Sequence, residues 1–184
     1  MKEPINFITG NQNKANYLAK LLGMPVEHYK LDLQEIQATS LEAVVEHKVR
    51  EAYKHIGRPV LVDDVSLGFS ALNGLPGPFV KFFVEQPDGL ENMCRMLDAF
   101  PDRSARGECM YGYYDGTRLE VLRGGIDGKI VDHPRGDGGY GWDKIFCPEG
   151  YGGKTRAELS EDEYDAVYEI IRPLAALRTL LTGL

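Results

Sequence analysis

The run Val60-Leu61-Val62-Asp63-Asp64 constrains this chain more than any other stretch. Three apolar residues after Pro59 read as a short buried strand, and they lead directly into two adjacent carboxylates. Ionised carboxylates are costly to bury unless a cation meets them. A strand that delivers two acids at its end therefore points to a bound metal, a cationic ligand or a proton-transfer centre. The plainer reading is a pair of turn residues closing a strand. Shortly afterwards Asn73-Gly74-Leu75-Pro76-Gly77-Pro78-Phe79-Val80-Lys81 forms a rigid Gly/Pro loop that ends in a lysine.

Bulk properties set the outer bounds. With 184 residues, 43% of them hydrophobic, the chain suits one compact domain over residues 1–184. It has no apolar run of about 18 residues, so no membrane partner is expected. Met1-Lys2-Glu3-Pro4 leads straight into a strand-like run, and no signal peptide is read there. Three cysteines (Cys94, Cys109, Cys147) without a C-x-x-C pair predict reduced thiols in a cytoplasmic protein. A net charge of −7 argues against a nucleic-acid partner. It leaves room for an anionic small molecule, because a few local cations and a metal reverse the local field.

Alternating strand and helix patterns predict an α/β protein with a mixed sheet. Residues 5–9 read as a strand, 10–13 as a polar turn and 14–22 as a helix ended by Gly23 and Pro25. A strand, turn and helix start of this kind is a natural anion site, though not a P-loop. Residues 26–33 read as a second strand that brings Glu35 to its end. Ser40 caps a helix over 41–55 with the apolar stripe Leu41, Val44, Val45, Val49, Ala52 and Ile56. Lys48 falls inside that stripe. It either snorkels to the surface or aims into an interior anionic site. A helix over 89–100 follows a cap at Asp88, and Asp115-Gly116 marks a hairpin between 106–114 and 117–122. A further short strand covers 128–131. Ser160 with Glu163 makes a capping box, and Pro173 stops that helix and starts a last one.

The candidate chemistry collects acids at Glu35, Asp63 and Asp64 and lysines at Lys14, Lys48 and Lys81. Hard oxygen ligands suit Mg²⁺, which is usually held by one or two carboxylates plus substrate phosphates. Lysines serve phosphate as point charges. Tyr140 and Trp142 straddle Gly141 and precede Asp143. They are either core aromatics or a platform that stacks a base, with a carboxylate to read its edge. Together these residues describe a nucleotide polyphosphate site with one metal.

Five segments, in this order, carry a resemblance: Thr9-Gly10-Asn11-Gln12-Asn13-Lys14, residues 33–37, residues 60–67, residues 72–81 and Tyr140-Gly141-Trp142-Asp143. The chain resembles the inosine triphosphate pyrophosphatases, which act on non-standard purine nucleoside triphosphates. The resemblance implies an elongated mixed sheet flanked by helices, two lobes around a central active-site cleft, and a homodimer. It implies Mg²⁺-dependent splitting of ITP, dITP or XTP into the monophosphate and pyrophosphate. Carried over by position, Thr9 to Lys14 hold phosphates, and Glu35 and Asp64 hold the metal. Asp64 is also the base for water, supported by Asp63, and Lys48 and Lys81 lie near the triphosphate. Val65, Tyr140, Gly141, Trp142 and Asp143 belong to the nucleotide site, with Tyr140 stacking the base.

One segment departs from that pattern. The family carries K-N-x-x-S-H-R near the C-terminus, where its lysine, histidine and arginine contact the purine edge and phosphates. Here the matching stretch is 163–172, Tyr164 stands in the lysine's place, and no Ser-His pair appears. Arg172 is the candidate replacement for the arginine. A buried acceptor that loses its donor costs about 1–3 kcal/mol, so base preference is where this chain is expected to differ. Two alternatives stay open: the same hydrolysis with a shifted base, and a nucleotide-binding protein without catalysis.

Overall fold

Apolar runs bounded by Gly and Pro become the strands, and the 3.6-residue stripes become the helices. The computed structural model describes residues 4–10 and 12–183, and for Asn13 the backbone alone. In chain order the elements are β1 (Ile5–Ile8), α1 (Gln12–Leu22), β2 (Val26–Tyr29), α2 (Leu41–Ile56), β3 (Val60–Phe69), β4 (Pro76–Gly77), α3 (Val80–Val84), α4 (Gly89–Arg95), β5 (Ser104–Tyr114), β6 (Leu119–Ile130), β7 (Phe146–Pro148), α5 (Glu161–Ile171) and α6 (Leu174–Thr182). Among the described residues the strands make one sheet in the order β2-β1-β3-β5-β6-β7, with β4 paired to β3. β1 is parallel to β2 and β3, whereas β4 and β7 run antiparallel to β3 and β6. The expected α/β class with a mixed sheet flanked by helices is the one adopted.

Internal packing divides the chain into two units. The first comprises Met1–Asp64, Cys109–Arg123 and Pro173–Leu184, and the second Val65–Glu108 and Gly124–Arg172. In the first unit, α2 buries Leu41, Val44, Val45, Val49 and Ala52. Most of that stripe joins Ile8, Val60, Val62 and Met110 in one apolar cluster. The helix begins where Ser40 Oγ accepts the Ala43 amide at 3.2 Å and ends at Gly57, whose φ of 68° suits glycine. The Asn6 side-chain amide donates to the Pro59 carbonyl at 2.7 Å, tying β1 to the start of β3.

In the second unit the Trp142 and Phe146 rings meet edge to face at 5.3 Å. Arg103 ties α4 to the end of β6, donating to the carbonyls of Ile130 at 2.9 Å, Cys94 at 2.8 Å and Val131 at 2.6 Å. The capping box at Ser160 and Glu163 forms as expected, and α5 stops at Ile171 ahead of Pro173. All three cysteines are buried thiols outside any disulfide.

Three expectations are corrected. β2 ends at Tyr29, not Leu33, because its partner β1 ends at Ile8, which pairs with Tyr29. Glu35 therefore lies in an irregular segment and not at a strand end. α4 ends at Arg95, not Phe100: the Leu97, Asp98 and Phe100 amides bond three residues back, tightening the coil into turns. The two short strands expected over 117–131 are one continuous β6. Its Gly125 marks a close approach, since an added Cβ would lie 3.0 Å from the Gly107 carbonyl oxygen.

Gly112 on β5 offers a direct test of the first unit's packing. An added Cβ there would lie 2.7 Å from Val45 Cγ1 and 3.3 Å from Val49 and Val62 atoms. Gly112→Ala is expected to lower the unfolding free energy by about 1–3 kcal/mol, the usual cost of overpacking, measured by urea denaturation with unchanged slope.

Candidate active site

β3 carries Asp63 and Asp64 side by side, and consecutive side chains of a strand leave opposite faces. Lysines from two different helices meet them. Lys14 of α1 stands 3.3 Å from Asp63 Oδ2, whose side chain is only 2% exposed. Lys48 of α2 stands 3.0 Å from Asp64 Oδ2 and 2.8 Å from Glu35 Oε1, and donates to the Asp63 carbonyl at 3.3 Å. Lys48 thus takes the interior option, its side chain 15% exposed and its ammonium among oxygens. Burial alone would lower its pKa. Asp64, Glu35 and Asp63 outweigh burial and hold its pKa above the ordinary lysine value.

The turn before α1 is anchored from β2. His28 places Nε2 2.6 Å from the Thr9 carbonyl and Nδ1 2.6 Å from Gln12 Oε1. A carbonyl can only accept, so Nε2 carries the hydrogen of that bond. Gln12 in turn donates to Asn16 Oδ1 at 3.0 Å. Thr9 is buried and Gly10 exposed. Asn11 and the side chain of Asn13, both expected at the phosphate turn, lie outside the described residues.

A second polar centre lies within the other unit, around the buried Asp143. Its Oδ1 accepts from Arg156 Nη1 at 2.5 Å, and its Oδ2 accepts from the Tyr140 amide and the Tyr164 hydroxyl, each at 2.9 Å. The Arg156 guanidinium lies over the Tyr164 ring at 4.7 Å and the Trp142 ring at 5.3 Å. Burial pushes the Asp143 carboxyl up, opposed by Arg156, the Tyr140 amide, Tyr164 and Arg172. The Tyr164 hydroxyl is pushed well above the ordinary tyrosine value, first by burial and then by Asp143. Arg172 is buried, with its guanidinium 4.9 Å from the Tyr168 ring centre.

The other expected site residues take distinct places. Tyr140 is 52% exposed, whereas Trp142 is buried against Phe146 and takes the core reading. Gly141 has φ 61°, which its lack of a side chain permits. Val65 begins the second unit, half-buried on β3. Lys81 rides on α3, largely exposed and 4.0 Å from Glu85 Oε1. Sequence reasoning missed Arg156 and His28. Each is a lone residue in its segment and gains meaning only from a partner distant in the chain.

Comparison with known proteins assigns the family. The Ham1 family model matches residues 5–179, and the chain belongs to that family. It is 39% identical to the inosine triphosphate pyrophosphatase of Emericella nidulans, covering 96% of each chain. It is 44% identical to the protein of the same name from Pyricularia oryzae, over 90% of this chain and 87% of that one. Among solved structures, a HAM1 protein from Coxiella burnetii superposes with a TM-score of 0.84 at 27% identity, covering 98% of this chain and 100% of that chain. A nucleoside-triphosphatase (dITP/XTP pyrophosphatase) from Mycobacterium abscessus gives 0.80 at 29%, covering 95% of this chain and 98% of that chain.

Removing one member of the buried pair tests the second centre. Arg156→Met leaves the Asp143 carboxylate without its cation, and is expected to cost about 3–5 kcal/mol of stability. Adding Asp143→Asn to that variant should recover part of the loss in denaturant unfolding.

Proposed function

We propose that the chain hydrolyses non-standard purine nucleoside triphosphates (ITP, dITP and XTP) to the monophosphate and pyrophosphate, with Mg²⁺. The observation that carries this reading is the convergence of Glu35 and Asp64 on one ammonium, at 2.8 and 3.0 Å, beside the Lys14–Asp63 pair. The relatives' names point to the same chemistry.

The donor set fits the metal. Glu35 and Asp64 supply hard carboxylate oxygens, which suit Mg²⁺ with substrate phosphates completing its shell, and Glu35, about half exposed, would draw in from its 2.8 Å contact with the ammonium to metal-ligand distance. Bound there, the ion would neutralise charge on the phosphates. The chain's own residues do the rest. Asp64 orients and deprotonates the water that attacks the α-phosphorus. Asp63 fixes Lys14, and Lys14, Lys48 and Lys81 stabilise charge on the departing pyrophosphate. Thr9 to Lys14 hold the phosphates. Tyr140 stacks the base, while Asp143 acts through the groups it holds. The whole chain works as one catalytic domain. We place it in the cytoplasm on its three cysteines, none of them in a disulfide. A homodimer is the expected assembly, supported by the exposed Leu75, Phe82 and Phe83.

One observation favours a shifted base preference. Tyr164 stands where the family lysine is expected, and its hydroxyl hydrogen is committed to Asp143. It can then present an oxygen acceptor but no ammonium donor to a ligand.

A panel of ITP, XTP, dITP, GTP and ATP under one Mg²⁺ concentration, read by pyrophosphate release, separates the readings. ITP, dITP and XTP are expected to exceed ATP and GTP in kcat/KM. A faster standard nucleotide would support the shifted base, and no release from any of them would leave only a binding protein. Asp64→Asn is expected to lower kcat by about 10²–10⁴, the usual contribution of a general base, while nucleotide affinity persists.

A further inference from the structure

Glu35 and Asp64 hold a cation in the free protein, and it belongs to the chain itself. The Lys48 ammonium meets Glu35 Oε1 at 2.8 Å, Asp64 Oδ2 at 3.0 Å and the Asp63 carbonyl at 3.3 Å. Three oxygens from two chain segments around one positive centre make up a cation site. We infer that Lys48 is a placeholder: it occupies the carboxylates that a divalent ion must take, so the ion enters together with a polyphosphate and binds poorly without one. This inference rests on the hydrolase reading of the same site.

The physical reason is charge accounting. A divalent ion and an ammonium cannot hold the same two oxygens, Glu35 Oε1 and Asp64 Oδ2, and crowding both cations onto one pair of acids adds like-charge repulsion. An ion arriving alone must displace Lys48. Its side chain is 15% exposed, and a displaced, poorly solvated ammonium without a counter-ion is costly. Asp63 is no ready substitute, since Lys14 already holds its Oδ2. A polyphosphate removes the difficulty, because its oxygens give the ammonium a new anionic partner as the ion takes Glu35 and Asp64. The mobile part of the exchange is small. Lys48 is on α2, and Asp64 is on β3. Glu35 lies in the irregular segment, about half exposed. Linkage then makes the effect reciprocal: ion and polyphosphate each strengthen the other.

Manganese as a probe, with free Mn²⁺ read by electron paramagnetic resonance, tests this without turnover. In the wild-type protein, a non-hydrolysable α,β-methylene analogue of ITP is expected to tighten Mn²⁺ binding by on the order of tenfold or more. Lys48→Met should bind Mn²⁺ alone on the order of tenfold tighter than wild type, with the analogue's effect reduced. Lys48→Gln serves as a second variant, with circular dichroism to verify folding. Equal Mn²⁺ affinity in wild type with and without the analogue overturns the inference, as do folded Lys48 variants that bind Mn²⁺ no tighter than wild type. Pyrophosphate release without this pattern removes the Lys48 inference and keeps the hydrolase reading. The pattern without any release keeps the placeholder and removes the hydrolase.

Discussion

Neutralising the carboxylates of β3 is the constraint on which the rest of the first unit depends. Val60 to Asp63 are buried, so the strand carries Asp63 out of reach of water and leaves Asp64 only partly solvated. Lys14 and Lys48 answer that need from two helices. The attraction between such charges is roughly 4 kcal/mol at 4 Å with an effective dielectric near 20. Desolvating each ion costs several kcal/mol. The terms nearly cancel, so these pairs add little to stability. What they provide is a set of charges held at short distances, ready to be re-partnered.

The second unit treats charge differently. Asp143 is almost wholly buried, and both its oxygens accept from neighbours. Its Arg156 partner is buried too, between two aromatic rings. A sealed pair of this kind orders its surroundings: it fixes the Tyr140 amide, and it decides which way the Tyr164 hydroxyl hydrogen points. Asp64 keeps about a fifth of its side chain in contact with solvent, and its lysine is shared with a half-exposed glutamate. One acid builds structure and the other stays available for exchange.

Much of this was legible along the chain. The α2 stripe, the Ser40 cap, the Ser160–Glu163 box and the stop at Pro173 are local patterns, and all appear where the residues place them. The acidic end of β3 was legible as a site because burying acids demands a reason. The length of β2 was not, since a strand extends only as far as its neighbour pairs with it. Trp142 could be read either as core or as platform, because an aromatic side chain suits both until its surroundings are known. Arg156 was silent, because nothing near it in the chain names Asp143 as its partner.

By itself, the sequence determined the element types, most of their ends and the kind of chemistry on offer, because propensity, capping and periodicity act between residues a few positions apart. Tertiary structure alone decided that Lys48 turns inward to Glu35 and Asp64, that Lys14 closes on Asp63, and that Arg156 and Tyr164 share Asp143. Those choices join residues 13 to 49 positions apart. Such a pairing follows from burial and charge in the folded chain, which no local pattern encodes.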